Sequence, residues 1–270
     1  MNTLLTFVIP IRHPANAPDW AMLLQRLRQT IRSVSAQDCT NWRGVIVANE
    51  GAELPPLPPR WDVVRVSFEP NKLYEQGDAD KETFYDAVRL DKGRRVLAGM
   101  LHARASEYFM VVDDDDLVGR RLASFVKANS GAGGWHIRDG YFWEDGSRLL
   151  YLHNEFSKYC GTSYIVRSDL YGLPETAEHA EPDYIRAMLG SHVLLPERLE
   201  QAGHRISPLT FEGAIYRIGH AGAHSRSAGL RSQLFGTDST IGNPLRALVR
   251  LRRIRLVTGS IRAEFFGGMP

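Results

Sequence analysis

The segment EYFMVVDDDDLVG, Glu107 to Gly119, constrains this chain more than any other. Tyr108 to Val112 is a short continuous apolar run, rich in aromatic and β-branched side chains, the pattern of a buried strand. It runs straight into four aspartates, Asp113 to Asp116. Like charges at that spacing repel by about 1 kcal/mol per close pair in water, and several-fold more where solvent is partly excluded. One or two aspartates after a strand would serve as a turn or a helix cap; four call for a counter-charge. A divalent cation supplies it, because Mg²⁺ and Mn²⁺ take hard oxygen ligands, few from protein and the rest from phosphate and water.

The flanking sequence predicts a scaffold that would present this strand end to a ligand. Thr3 to Ile11 reads as a first strand, Trp20 to Ser35 has helical apolar spacing, and RGVIVANEG is a second buried strand ending in a turn. After the proline-rich connector LPPLPPR, WDVVRVSF makes a third strand. Glu69 to Leu90 reads as a long polar loop with a short helix, and Asp91 to Ala105 as the helix leading into the aspartate strand. Alternating strands and helices predict a mostly parallel central sheet with helices on both faces. In such sheets the ligand sits beyond the carboxyl ends of the strands, so PIRHP, ANEG and DDDD should converge on one cleft. Past GAGG, the segment GWHIRDGYFWEDGSRLLYL alternates and carries two turn signals, an antiparallel excursion. CGTSYIVRSDL is a further strand, a helical region follows near Asp183 to Ala202, and HRISPLTF and GAIYRIGH close the domain. With 270 residues, 43% of them hydrophobic, the chain can bury a sizeable core.

Two widely spaced cysteines, Cys39 and Cys160, fit no metal spacing and suggest a reducing, cytoplasmic setting. The N-terminal MNTLLTFVIPIR lacks the cationic start of a signal peptide, and no apolar stretch is long enough to span a bilayer. The net charge is only +2, but residues 241–270 hold six arginines and one glutamate. Such asymmetry points to an anionic partner for the tail, a membrane surface or a polyanionic glycan rather than nucleic acid. From Pro244 to Gly259 a helix would carry Ala247, Leu248, Leu251 and Ile254 on one face and Arg246, Arg250 and Arg253 on another, which suits either peripheral contact with an anionic inner membrane face or a helix packed on the rest of the domain with its arginines in water.

The order FVIPIR, VIVANEG, YFMVVDDDDL, CGTSYIVR and GSHVLLPERLEQAG resembles a family 2-type glycosyltransferase of the GT-A fold, over about Thr3 to Ser225. The resemblance implies a single GT-A-like α/β domain over residues 1–225, nucleotide-binding in its first half (1–118) and acceptor-facing in its second (119–225). A small antiparallel excursion and a basic helical appendage, residues 226–270, would complete the chain. It implies transfer of a sugar from a nucleoside-diphosphate donor, UDP-sugar favoured, to a glycan or lipid-linked acceptor in surface polysaccharide synthesis. Mn²⁺ or Mg²⁺ would be held by Asp113 and Asp115, with Asp114 on the nucleotide side and Asp116 contacting the acceptor or capping the next helix.

Nucleotide contacts would come from Pro10 and Arg12 after the first strand, from Asn49 and Glu50 in ANEG, and from Lys92 and Gly93 at the start of the following helix. Gly161 and Thr162 in CGTS resemble the small-residue turn beside a donor sugar. Trp143, with Tyr141 and Phe142, is either an aromatic acceptor platform or core. His220, or His224 behind it, would be an additional metal ligand.

Two departures stand out. ANEG replaces the family's acidic residues at the base-binding turn. Ser191-His192 replaces the acidic pair whose aspartate acts as base, so His192 takes that place, with Asp183 in EPDY as the alternative base. Three rivals remain: a sugar nucleotidyltransferase, disfavoured by the absence of glycine in PIRHPANAP; a phosphoaspartate phosphatase, disfavoured by Leu117 after the aspartates; and a non-catalytic glycan- or nucleotide-binding module.

Overall fold

A computed structural model describes residues 3–73, 77, 79–219 and 251–268. The first strand, β1 (Leu5–Pro10), has five of its six residues buried, as its unbroken apolar run requires. The helix α1 (Trp20–Ser35) starts at Asp19, whose carboxylate accepts from the Met22 amide, and buries Leu23, Leu27, Ile31 and Val34 along one face. Strands β2 (Trp42–Asn49) and β3 (Trp61–Val66) follow in parallel register, β1 to β2 to β3.

Helix α2 spans Lys81–His102, capped by Asp80. It begins ten residues earlier than the pattern at Asp91 suggested, because Phe84 and the second half of the helix share a buried face that the polar residues between them hide. Strand β4 (Tyr108–Val111) pairs parallel with β1. The two helices lie on opposite faces of this sheet: α1 packs with Phe7 and Ile9, whereas Val96, Leu97 and Met100 of α2 pack with Val8, Val45 and Val47.

After β5 (Leu117–Val118) and α3 (Leu122–Ala128) come β6 (Gly134–His136), β7 (Gly140–Glu144), β8 (Leu149–His153) and β9 (Tyr164–Arg167). The turn α4 (Pro182–Tyr184) runs into one π-helical turn, Ile185–Leu189, and then α5 (Leu194–Gln201). Strands β10 (Ser207–Pro208), β11 (Ala214–Ile218) and β12 (Ile254–Leu256) and helix α6 (Gly259–Phe265) complete the described chain. The central sheet runs β10-β6-β9-β4-β1-β2-β3, with β9 antiparallel to β4 and β6. A second sheet runs β12-β8-β7-β11-β5. The α/β class, the mostly parallel core and the antiparallel excursion are therefore those the sequence predicts.

The C-terminal segment differs from its expectation. Residues 254–256, read as part of an amphipathic helix, form β12 and pair antiparallel with β8, Ile254 opposite Tyr151 and Leu256 opposite Leu149. Phe265 is fully buried against Tyr141, and the Glu264 carbonyl accepts from the Arg120 amide. Sheet hydrogen bonds and an aromatic slot outweigh the helical periodicity here. The first part of the expected helix, residues 244–250, lies outside the described residues. No described helix is long and apolar enough to cross a membrane.

Candidate functional site

At the carboxyl ends of β1 and β4 lies an open cleft of about 470 Å³. Pro10 and Arg12 enter it from β1, Asp113, Asp114 and Asp115 from β4, Lys92 and Arg95 from α2, Gly161 from the turn before β9, and His192 from the turn before α5. Of the residues expected at a nucleotide or metal site, the fold brings together Pro10, Arg12, Lys92, Asp113, Asp114 and Asp115, and with them Gly161, expected at the donor sugar, and His192, expected as the base.

The four aspartates divide by alternation. Asp113 and Asp115 are partly exposed toward the cleft, whereas Asp114 and Asp116 are buried. Asp113 is ion-paired with the Lys92 ammonium. Its backbone N–H donates to the Thr162 hydroxyl at 2.9 Å, and that hydroxyl donates to the Asp116 carboxylate at 2.6 Å. Asp116 also accepts from the Cys160 thiol and from the Arg217 backbone N–H, both at 3.2 Å. Burial, then repulsion from Asp115 and Asp113, pushes the Asp116 carboxyl well above the usual carboxylate range. Asp116 is thus a strut tying the aspartate turn to the 160–162 turn and to β11.

Asp116 and Thr162, both expected at a sugar, have no exposed surface to offer one. Asp114 faces the Arg12 guanidinium at 3.6 Å, and its second carboxylate oxygen is buried without a hydrogen-bond partner. Burial pushes its carboxyl up to about 6, against the pull of Arg12.

Lys92 reaches this turn from the middle of α2, so the backbone donors of a helix start, expected at Asp91, are absent from the site. Its neighbour Gly93 packs instead of lining the cleft: a β-carbon there would sit 2.5 Å from the Ile185 carbonyl oxygen. That close approach seats the π-helical turn on α2 and so sets where His192 emerges. Gly161 has a different use, since a β-carbon would sit 2.6 Å from an Asp113 carboxylate oxygen and 2.9 Å from the Lys92 nitrogen. Only a residue without a side chain leaves that side of the ion pair open.

His192 lines the cleft, and its Nε2 is buried with no hydrogen-bond partner. Burial first, and the Lys92 charge second, lower the imidazole from its ordinary value to about 4. It is neutral at pH 7. Asp183, the alternative base, has a side chain 92% exposed and paired at 2.9 Å with Arg186, away from the cleft.

Asn49 is also elsewhere: its amide nitrogen donates to the Phe68 carbonyl and its oxygen accepts from Arg95, both at 2.6 Å. Glu50 is exposed on the turn beyond it, and neither lines the cleft. Trp143 is buried in the second sheet, its indole N–H donating to the Ser147 carbonyl, and it faces a different cavity. His220 and His224 lie outside the described residues.

Sequence reasoning passed over Arg217, Tyr159 and Tyr216, which also line the cleft. Arg217 is 1% exposed. Its Nε donates to the Asp115 carbonyl at 2.8 Å, and its guanidinium stacks 4.8 Å from the Trp143 ring. An arginine in the middle of the apolar strand AIYRI was the available signal, because a buried guanidinium demands acceptors.

Among the described residues, no three His, Cys, Asp or Glu side chains form a metal cage. The two cleft-facing carboxylates fit a hard cation that completes its shell from phosphate and water, and do not fit a protein-only zinc site.

The fold and site together define an α/β protein with a mixed-charge cleft at the carboxyl ends of its parallel strands. No family model and no curated protein matches the sequence. Among solved structures, the chain is similar to S. aureus TarS at 12% identity, covering 80% of this chain and 37% of that one, with a TM-score of 0.45. It is also similar to Rv0371C from Mycobacterium tuberculosis H37Rv, solved with manganese, at 10% identity, covering 80% and 91%, with a TM-score of 0.38.

Proposed function

We propose that this chain is a metal-dependent glycosyltransferase of the GT-A type, moving a sugar from a nucleoside-diphosphate donor, UDP-sugar favoured, to a glycan or lipid-linked acceptor. The observation that carries this reading is the pairing, in one cleft, of the outward carboxylates Asp113 and Asp115 with the cations Lys92 and Arg12 and an unpartnered His192 Nε2. Asp113 and Asp115 would hold Mn²⁺ or Mg²⁺, which when bound neutralises the departing diphosphate. Lys92 and Arg12 sit where that negative charge would develop and are already partly desolvated, so they need little reorganisation to meet it.

Gly161 leaves room for the donor beside the Asp113–Lys92 pair. His192, neutral and without a hydrogen-bond partner at its buried Nε2, would accept the proton of the acceptor hydroxyl. An imidazole near 4 is a weak base, but a bound diphosphate would add negative charge beside it and raise its affinity for the proton. Tyr159, 48% exposed at the cleft lip, and Tyr216 offer ring faces to the acceptor sugar.

The test is a panel of nucleotide sugars with Mn²⁺, followed by thermal shift and by nucleoside-diphosphate release. The right donor raises the melting temperature only with metal and is slowly hydrolysed. Stabilisation without any turnover would favour a binding module, and full turnover in chelator would remove the metal from the reading.

A further inference from the structure

Arg217 lines both the cleft and a second cavity, about 680 Å³, bounded by α1, the β7–β8 turn and the C-terminal segment. Beside it the four aspartates make a tight turn, in which the Asp116 N–H donates to the Asp113 carbonyl at 3.2 Å. The carbonyls of the two central residues are both held from outside the turn. That of Asp114 accepts from the Thr30 hydroxyl of α1 at 3.2 Å, and that of Asp115 from Arg217 Nε at 2.8 Å. The Arg217 backbone N–H also donates to Asp116 Oδ1 at 3.2 Å, so one residue of β11 grips two consecutive residues of the turn.

These contacts fix a direction as well as a distance. A peptide unit is planar, so holding its carbonyl holds the whole unit. The two units held here flank the Asp115 α-carbon, and so set the direction in which its side chain leaves the turn. The rest of the guanidinium is anchored on other elements. Nη2 donates to Gln29 Oε1 of α1 at 2.6 Å and Nη1 to Asp145 of the β7–β8 turn, while the Trp143 ring lies 4.8 Å away. Three acceptors on one planar fork allow a single orientation, which an ammonium would not impose. Burial lowers Arg217 to about 10, against the pull of Asp115, so it is charged at pH 7. It therefore also offsets, from behind, part of the mutual repulsion of the aspartates.

On the reading of the cleft as a metal site held by Asp113 and Asp115, we propose that Arg217 is a positioning residue for Asp115. It holds the acidic turn in the conformation that presents this carboxylate to the cleft before a cation arrives. It acts through Asp115 and through the turn, from the side facing α1 and β7.

Two measurements on the full chain test this. Hydrogen exchange in chelator, followed in the peptide that carries Asp113 to Asp116, reads the turn without metal, and calorimetry with Mn²⁺ and UDP reads the cleft. Arg217→Lys keeps the charge and loses the fork. It should speed exchange in the turn about tenfold, with β1 unchanged, and weaken Mn²⁺ binding about tenfold. Gln29→Met removes one anchor at a half-buried position and should shift both readouts the same way by about threefold, which keeps the test decisive if Arg217→Lys folds poorly. Arg217→Met sets geometry against charge. Loss of positioning weakens Mn²⁺ binding, whereas removal of a mere neighbouring cation would tighten it. If the unaltered chain takes no Mn²⁺ but the turn still loosens in Arg217→Lys, the reading of the cleft fails and the hold of Arg217 on Asp115 stands. Exchange in the turn that ignores Arg217→Lys, or Mn²⁺ affinity that ignores it or rises in Arg217→Met, would overturn the proposal.

Discussion

The two cavities share Arg217 yet arrange their charges differently. In the cleft beyond β1 and β4, charges of both signs face each other, Lys92 against Asp113 and Arg12 against Asp114, and among its described lining residues Asp114 Oδ2 and His192 Nε2 are buried without a hydrogen-bond partner. In the second cavity five arginines meet one aspartate. A wall with charges of both signs can offer them to a metal and a diphosphate together, whereas in the second cavity Arg26 and Arg217 are spent on Asp145. The difference comes from the scaffold. The cleft is closed by parallel strands whose ends are fixed by the sheet core, and the second cavity by the β7–β8 turn and a C-terminal segment that returns to pair with β8.

The largest effect should come from the cleft. Asp115→Ala removes one of its two outward carboxylates, and metal-dependent nucleotide binding, followed by calorimetry with Mn²⁺, should fall by about a thousandfold; an unchanged affinity would break the proposed division between Asp113/Asp115 and Asp114/Asp116. Phe265→Ala probes the other wall. Emptying that fully buried slot should cost about 3 kcal/mol in urea unfolding while nucleotide binding at the cleft persists. Loss of both together would show that the two regions form one cooperative site.

His192→Ala should lower turnover about a hundredfold with donor binding kept, and the exposed Asp183→Ala should change it little. The reverse pattern would return the base to Asp183.

The smallest effect is a pH dependence of stability. The folded His192 titrates near 4, below its ordinary 6.5, so the unfolded chain binds the proton more readily. Its contribution to stability is complete above pH 6.5 and is lost as pH falls through 4. In His192→Gln the acid-side loss of stability should shrink by about 3 kcal/mol at most, read as urea midpoints at pH 7, 5 and 4. A parallel pH profile would mean that His192 is solvated and the cleft less enclosed than its burial implies.

The order of strands and helices and the convergence of the β1 and β4 ends were legible because apolar runs and like-charge clusters are local signals, whereas the expected convergence of ANEG with them did not follow. β1 and β4 read as buried strands because their apolar runs are unbroken, but the burial of Asp114 and Asp116 is set in the turn beyond β4. The register of α2, the struts made by Asn49, Asp116 and Thr162, the withdrawal of Asp183 into solvent and the role of Arg217 were not legible. The struts and Arg217 depend on partners far along the chain: Arg95 for Asn49, Thr162 for Asp116, and Gln29, Asp115 and Asp145 for Arg217. A polar side chain looks the same in sequence whether it faces a ligand or satisfies a buried neighbour. Sequence by itself determined the strand frame and the acidic motif, because burial of apolar runs is a property of the segment. Only the tertiary structure decided which polar groups were spent on each other and which were left facing the cleft, because hydrogen-bond satisfaction in a buried site is a property of the assembled neighbours.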